Sequence, residues 1–195
     1  KRKKGKFVLR FEDTNPELSR QEYANAILDD LKYLGIECGK ATYVSDDMDK
    51  LYFYAEELIE QNNAYVCFCA VKVMRDLRHK AQECSHRKAS VAENKKHWNA
   101  MLNRNLKPRE AVLRLKGNMK SKNDVMRDPV IFRITYEEHY RYKGKYCVWP
   151  LYDFENAVED GLQGVTHILR SIEFGGMRVE LQSLIKSLLE LPEQT

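Results

Sequence analysis

The sequence predicts an α/β fold, because strand-like and helix-like segments alternate along its first third. Residues 7–11 (FVLRF) form a mostly apolar run bounded by turn-forming residues, as expected for a buried strand. Two segments with apolar residues at helical spacing follow, and residues 64–69 return to a strand. Strand, helix, helix, strand is a pattern typical of α/β domains.

The two predicted helices carry recognisable start and stop signals. Asn15 and Pro16 can open the first helix as its cap and its first helical residue. Apolar residues recur at helical spacing over residues 26–34, and Gly35 supplies the stop. The second helix covers residues 48–61, with one face formed by Leu51, Tyr54, Ala55 and Leu58.

The rest of the chain predicts a charged helical segment followed by a mixture of strands and helices. Residues 71–109 are highly charged and mostly helical, with breaks at residues 84–88 and 107–108. The remaining predicted strands are residues 111–116, 130–135, 146–151 and 165–169. The remaining predicted helices are residues 155–162 and 177–191.

The composition indicates a folded protein. A chain of 195 residues with 43% hydrophobic residues can bury a core. No apolar run approaches the roughly 18–20 residues that cross a bilayer, so we expect no membrane partner. The net charge of +4 permits a polyanionic partner without requiring one. Five cysteines, an odd number, favour reduced thiols and a cytoplasmic location.

Acidic residues follow the first predicted strand, where α/β sheets bind ligands. The carboxylates of Glu12 and Asp13 could hold an ammonium group through charge-assisted hydrogen bonds. Alternatively, both acids simply favour the start of the next helix.

A second polar set comprises Tyr152, Asn156 and Arg170. The spacing predicts that Tyr152 lies at the end of a strand, that Asn156 lies one helical turn later, and that Arg170 ends the next strand. A buried guanidinium at that place could bind a carboxylate substrate bidentately. The alternative is a salt bridge between Arg170 and an acid of the intervening helix.

Three cysteines and a histidine have a spacing that suits a metal. Cys67 and Cys69 are followed, after fourteen intervening residues, by Cys84 and His86. Three thiolates and one imidazole are a standard ligand set for tetrahedral zinc. The alternative is that Cys67 and Cys69 are small apolar residues on one face of a strand.

Basic residues recur between residues 75 and 127, with Trp98 and several tyrosines interleaved. This pattern suits an RNA-facing surface, although such runs are more often solvated helix faces. No nucleophile–base pair and no glycine-rich phosphate loop stands out, and His79, His97, His139 and His167 are interpreted as surface or structural residues. An enzyme built on this sequence would work by positioning and charge stabilisation, with no catalytic side chain.

Nearly the whole chain resembles glutamyl-tRNA synthetase, a class I enzyme, in its archaeal and eukaryotic form. The most specific matches are residues 149–154 (WPLYDF) and 164–170 (GVTHILR), and residues 7–16 (FVLRFEDTNP) resemble the family's first strand and turn. Residues 64–69, 84–87 and 126–129 (MRDP) resemble its acceptor-binding insertion.

The resemblance implies a role for each matching residue. Glu12 and Tyr152 would hold the α-amino group of glutamate, Asn156 would help to fix the amino acid, and Arg170 would bind the side-chain carboxylate. Glutaminyl-tRNA synthetases lack this arginine, so Arg170 favours glutamate. The resemblance further implies ATP contacts from Glu173 and Phe174 and tRNA contacts from Asn15 and Arg127.

The implied architecture is a Rossmann-type nucleotide-binding fold split by an inserted α+β subdomain. Residues 1–62 and 147–195 would form the catalytic core, and residues 63–146 would bind the tRNA acceptor end. The implied activity is the ligation of L-glutamate to tRNA(Glu) through glutamyl-adenylate, with ATP and Mg²⁺, and with Zn²⁺ at the cysteine–histidine set. We expect a monomer, alone or within a synthetase complex.

The sequence departs from the family in lacking both of its ATP-binding signatures, HIGH and KMSKS. We therefore expect a fragment that does not aminoacylate tRNA by itself. The alternatives are a glutaminyl or non-discriminating ligase, and a non-catalytic tRNA-binding or assembly module.

Overall fold

The computed structural model describes residues 5–168 and 175–194, and it has a mixed α/β architecture. Its helices are α1 (Gln21–Tyr33), α2 (Met48–Glu60), α3 (Val71–His79), α4 (Val91–Leu102), α5 (Tyr152–Leu162) and α6 (Gly175–Leu188). Its strands are β1 (Arg10–Phe11), β2 (Thr42–Tyr43), β3 (Ala64–Cys67), β4 (Val112–Leu115), β5 (Val130–Ile134) and β6 (Val148–Pro150). Within these residues no helix is both long and apolar enough to cross a membrane.

The strands form two separate sheets in the described residues. β1 and β2 pair in parallel, with Arg10 opposite Thr42. The other four strands form an antiparallel sheet in the order β3-β4-β5-β6. This sheet joins β6, which the sequence analysis assigns to the catalytic core, to strands assigned to the insertion.

The first strand is shorter than predicted, and its start is not buried. Only Arg10 and Phe11 pair with a neighbouring strand, whereas Phe7 and Val8 are 52% and 46% exposed. The apolar run therefore predicted a strand at the right place, but the prediction that the strand is buried was wrong, because burial depends on what packs against it.

Helix α1 ends as predicted and begins later than predicted. Gly35 has a φ of +64°, and Ile36 N donates to Leu31 O at 2.9 Å, which closes the helix in a Schellman motif. Asn15 does not cap a helix: its side-chain oxygen accepts from Arg133, and its carbonyl closes a turn with Leu18 and Ser19. The helix therefore starts at Gln21.

The larger of the two apolar clusters in the described residues packs helices against the antiparallel sheet. Leu51 and Leu58 of α2 are fully buried, as their predicted face requires. Trp98 of α4 and Phe132 of β5 pack edge to face with ring centroids 5.3 Å apart. A capping box between Ser90 and Glu93 fixes the start of α4.

The predicted strand at residues 165–169 is absent over residues 165–168, and residue 169 lies outside the described residues. Helix α5 ends at Leu162, and Gly164, two residues later, has a φ of +61°. Val165 N then donates to Asp160 O at 3.0 Å to close the helix end. The backbone N–H of Val165 therefore caps the helix instead of joining a strand ladder.

Candidate functional site

Arg10 joins the end of β1 to one face of α5. Its Nη2 donates to Asn156 Oδ1 at 2.9 Å and to Asp160 Oδ1 at 2.7 Å, and its Nη1 donates to Gln163 Oε1 at 3.3 Å. The ion pair with Asp160 is mostly shielded from solvent, since the two side chains are 15% and 5% exposed. These contacts hold α5 against the segment that follows β1.

Glu12, Tyr152 and Asn156 lie together at this junction, as three of the four residues expected to bind an amino acid. Asn156 Nδ2 donates to Glu12 Oε2 at 3.0 Å and to the carbonyl oxygen of Tyr152 at 3.1 Å. Glu12 itself is exposed. Asn156 therefore orients a carboxylate that is open to a ligand, while its own oxygen is occupied by Arg10.

The remaining predicted contacts to substrate and tRNA fall into two groups. Arg170, Glu173 and Phe174 lie outside the described residues. Asn15 and Arg127 are described, and both contact the protein itself. Arg127 donates to the backbone oxygens of Ser121 and Arg78 at 2.8 and 3.1 Å, and Asn15 accepts from Arg133 at 2.9 Å.

Two further carboxyl groups on α5, Glu155 and Glu159, are fully buried close to the junction. Burial, together with the negative charge of Glu12, raises the pKa of Glu155 well above its ordinary value. Burial and the charge of Asp47 raise the pKa of Glu159 to about 7. Nothing in the sequence distinguishes these two acids from the solvent-facing acids of an ordinary helix, so their burial was not predicted.

Asp13 is buried in a network that reaches across to residues 139–141. Ser45 donates to both carboxylate oxygens of Asp13, from its backbone N at 2.9 Å and from its Oγ at 2.7 Å. His139 Nε2 lies 2.8 Å from the carbonyl oxygen of Asp13, and its Nδ1 lies 3.3 Å from the backbone N of Arg141. This network fixes the backbone directly beside Glu12, so Asp13 and His139 both have a structural role.

The four predicted metal ligands meet at one point. One ligand atom from each of Cys67, Cys69, Cys84 and His86 lies within 4.8 Å of all the others. Cys67 Sγ is 3.8 Å from Cys84 Sγ, and Cys69 Sγ is 3.4 Å from His86 Nδ1. β3 carries Cys67, and the short 3-10 turn at Ser85–Lys88 carries His86.

The residues around the cluster shift the pKa values of two of its thiols in opposite directions. Burial raises the pKa of Cys67 to about 12. Burial acts in the same direction on Cys84, but hydrogen bonds with Tyr65 and Cys67 outweigh it, so the Cys84 pKa lies below its ordinary value. The two side chains at the end of β3 and the two at the start of the 3-10 turn lie close enough to bind one cation.

Comparison with known families places the chain in one of them. The family described as tRNA synthetases class I (E and Q), catalytic domain, matches residues 1–194. The chain therefore belongs to the catalytic-domain family of the class I synthetases for glutamate and glutamine.

Among individual proteins, the chain is similar to glutamate–tRNA ligases of archaea. It is 43% identical over 191 residues to the glutamate–tRNA ligase of Nitrosopumilus maritimus, covering 97% of this chain and 33% of that protein. It is 45% identical over 168 residues to that of Methanothrix thermoacetophila, covering 85% of this chain and 30% of that protein. The chain thus spans about a third of the length of these curated relatives.

Solved structures support the fold assignment. A glutamate tRNA ligase from Elizabethkingia meningosepticum, crystallised in complex with its amino acid, superposes with a TM-score of 0.65 at 16% identity. The match covers 97% of this chain and 41% of that one. The fold class predicted from the sequence, that of a class I synthetase catalytic domain, is confirmed.

Proposed function

We propose that the protein to which this chain belongs attaches L-glutamate to tRNA(Glu), using ATP with Mg²⁺ and passing through glutamyl-adenylate. The observation that carries this proposal is the exposed Glu12 carboxylate, held by Asn156 beside Tyr152 at the junction of β1 and α5. The similarity to ligases named for glutamate supports the choice of substrate.

In this proposal the chain's own groups bind and orient the substrate. The Glu12 carboxylate and the Tyr152 hydroxyl both accept hydrogen bonds from the ammonium group of the substrate. Asn156 keeps the Glu12 carboxylate in place. Arg170 pairs with the side-chain carboxylate of glutamate, and Glu173 and Phe174 lie beside the adenine. The roles of these last three residues are supported by the sequence alone.

The division of labour along the chain is part of the same proposal. Residues 1–62 and 147–195 contribute to the catalytic core, whereas residues 63–146 support the acceptor end of the tRNA. Arg127 of the inserted segment and Asn15 of the core both contact the tRNA. We propose further that the protein acts as a cytoplasmic monomer, alone or within a synthetase complex.

The cysteine–histidine cluster is proposed as a zinc site within residues 63–146. The donor set fits the ion, because three sulfurs and one imidazole nitrogen already lie within 4.8 Å of one another. Zinc would tie the end of β3 to the turn that precedes α4 and stabilise this fold locally.

Substitution of Glu12 tests the proposed substrate site. In the full-length protein, Glu12→Gln keeps the hydrogen bond from Asn156 and removes the charge that faces the ammonium group. A charge-assisted hydrogen bond contributes about 1.5–3 kcal/mol, so we expect kcat/KM for glutamate to fall about 10–100-fold. Glu22→Gln, an exposed acid in the first turn of α1, is the matched control. Equal kcat/KM values for Glu12→Gln and Glu22→Gln would contradict the assignment.

A further inference from the structure

A buried arginine faces the sulfur atoms of the metal-ligand cluster. Arg114 of β4 is 2% exposed, and its Nη1 lies 3.8 Å from Cys67 Sγ and 3.7 Å from Cys84 Sγ. Its Nε donates to the carbonyl oxygen of Asp128 at 2.8 Å, and its guanidinium lies 5.5 Å from the centre of the Tyr65 ring. The guanidinium is therefore fixed on one side and directed at two of the four ligands on the other.

The carboxylate of Asp128, the residue whose backbone oxygen holds Arg114, is already occupied by other donors. Its Oδ2 accepts from Arg87 Nε at 2.9 Å and from the Tyr65 hydroxyl at 3.0 Å, and its Oδ1 accepts from Gly117 N at 2.8 Å. Arg87 also pairs with the more exposed Glu83 at 3.0 Å, and the carboxylate of Asp128 accepts from Arg87 but not from Arg114. The second positive charge, that of Arg114, is directed at sulfur.

A buried cation is costly unless it has an anionic partner. Neutral thiols are weak acceptors, whereas metal-bound thiolates carry the charge that a guanidinium requires. A divalent cation with three thiolates and one neutral imidazole has a net charge of −1. One guanidinium in contact with two of the sulfurs brings the buried charge to zero.

We propose that Arg114 is the balancing cation of a metal centre formed by Cys67, Cys69, Cys84 and His86. Its guanidinium donates hydrogen bonds to the thiolates of Cys67 and Cys84. Its positive charge stabilises a centre with a net charge of −1, that of a divalent cation with three thiolates and a neutral imidazole. Asp128 positions it through its backbone oxygen. This inference rests on the zinc site of the proposed function, and it adds a specific role for a residue outside the ligand set.

The test measures metal affinity, not aminoacylation. The full chain is prepared with Arg114→Gln, Arg114→Lys or Arg114→Met, and Zn²⁺ affinity is measured by competition with a chromogenic chelator. Co²⁺ absorption reports thiolate ligation in the same samples. Arg133→Met, which removes a guanidinium from neighbouring β5 that donates to Asn15, is the control.

We expect Arg114→Gln and Arg114→Met to bind Zn²⁺ about 10–100-fold more weakly than wild type. Arg114→Lys, which keeps the charge, should recover most of the loss, and Arg133→Met should bind as wild type does. If Arg114→Met fails to fold, the Zn²⁺ affinities of Arg114→Gln and Arg114→Lys are compared instead, and equal affinities would contradict the role of the charge.

The possible failures are distinguishable. Wild-type protein that takes up no stoichiometric Zn²⁺ would overturn the proposed metal site and the role of Arg114 with it. Wild-type protein that binds one Zn²⁺, with the same affinity as Arg114→Gln, would leave the metal site standing and overturn the role of Arg114.

Discussion

The buried side chain of His139 forms hydrogen bonds through both of its ring nitrogens. Its Nε2–H donates to the Asp13 carbonyl, and its Nδ1 accepts from the backbone N–H groups of Arg141 and Tyr142 at 3.3 Å each. Both ring nitrogens are satisfied only in the neutral form, and burial lowers the pKa of His139. Protonation would place a second N–H against two donors.

The buried neutral histidine predicts a loss of stability in acid. Because the folded-state pKa of His139 lies below the ordinary 6.5, the unfolded state binds more protons just below pH 6.5, and stability falls as the pH falls through this window. His139→Gln should remove this part of the pH dependence, although it lowers stability at pH 7.5. Urea unfolding at pH 7.5 and pH 5.5 gives the free energy of unfolding at each pH. The same loss of this free energy between the two pH values in wild type and in His139→Gln would contradict the prediction. Asp13 and Arg141 also face the ring, and the variant leaves both unchanged.

The raised pKa of Glu159 gives a contribution to stability with the opposite pH dependence. Its folded-state pKa of about 7 exceeds the ordinary 4.5, so the folded state retains a proton that the unfolded state releases between these values. Stability is therefore lost as the pH rises through that window. Glu159→Gln keeps an acceptor for Gln163 Nε2, 2.9 Å away, and should be more stable than wild type at pH 8 but not at pH 4. Thermal unfolding at both values tests this, and a variant less stable at pH 8 would contradict it.

At the scale of elements, the segment between β4 and β5 depends on one glycine. A Cβ on Gly117 would lie 2.0 Å from the backbone oxygen of Met126, a contact that a side chain cannot make. The same segment carries Asp128, whose carboxylate accepts from Gly117 N. Close backbone approach is therefore the reason for glycine at this position.

Gly117→Ala should consequently destabilise the protein by about 2–4 kcal/mol, a size expected for severe local overpacking. Gly39→Ala is the control, because a Cβ there meets nothing within 4 Å and the φ angle is not positive. Denaturant unfolding of both variants gives the difference. A Gly117→Ala variant as stable as Gly39→Ala would show that this segment can shift without cost.

The sequence predicted elements whose signals are local. The apolar face of α2 and the breaks around the 3-10 turn at Ser85–Lys88 follow from periodicity and turn residues, and the spacing of the cysteines anticipated the cluster. Elements that depend on partners were less predictable. The exposure of Phe7 and the late start of α1 depend on what the rest of the chain packs against these residues, such as Arg133 on Asn15.

On the scale of the whole molecule, the junction of β1 with α5 brings together residues almost 150 positions apart. Arg10 and Glu12 contact Asn156 directly, and no periodicity in the sequence reports such a contact. The resemblance to a family suggested that Glu12, Tyr152 and Asn156 act together. The buried acids Glu155 and Glu159 remained unpredicted, because acidic residues on a helix usually face solvent.

The measurement that tests the account most directly is aminoacylation by the full-length protein, with labelled glutamate and labelled glutamine offered separately to total tRNA. We predict charging with glutamate and none with glutamine. Charging with glutamine would contradict the proposed specificity and leave the family assignment intact. Charging with neither amino acid would contradict the proposed activity.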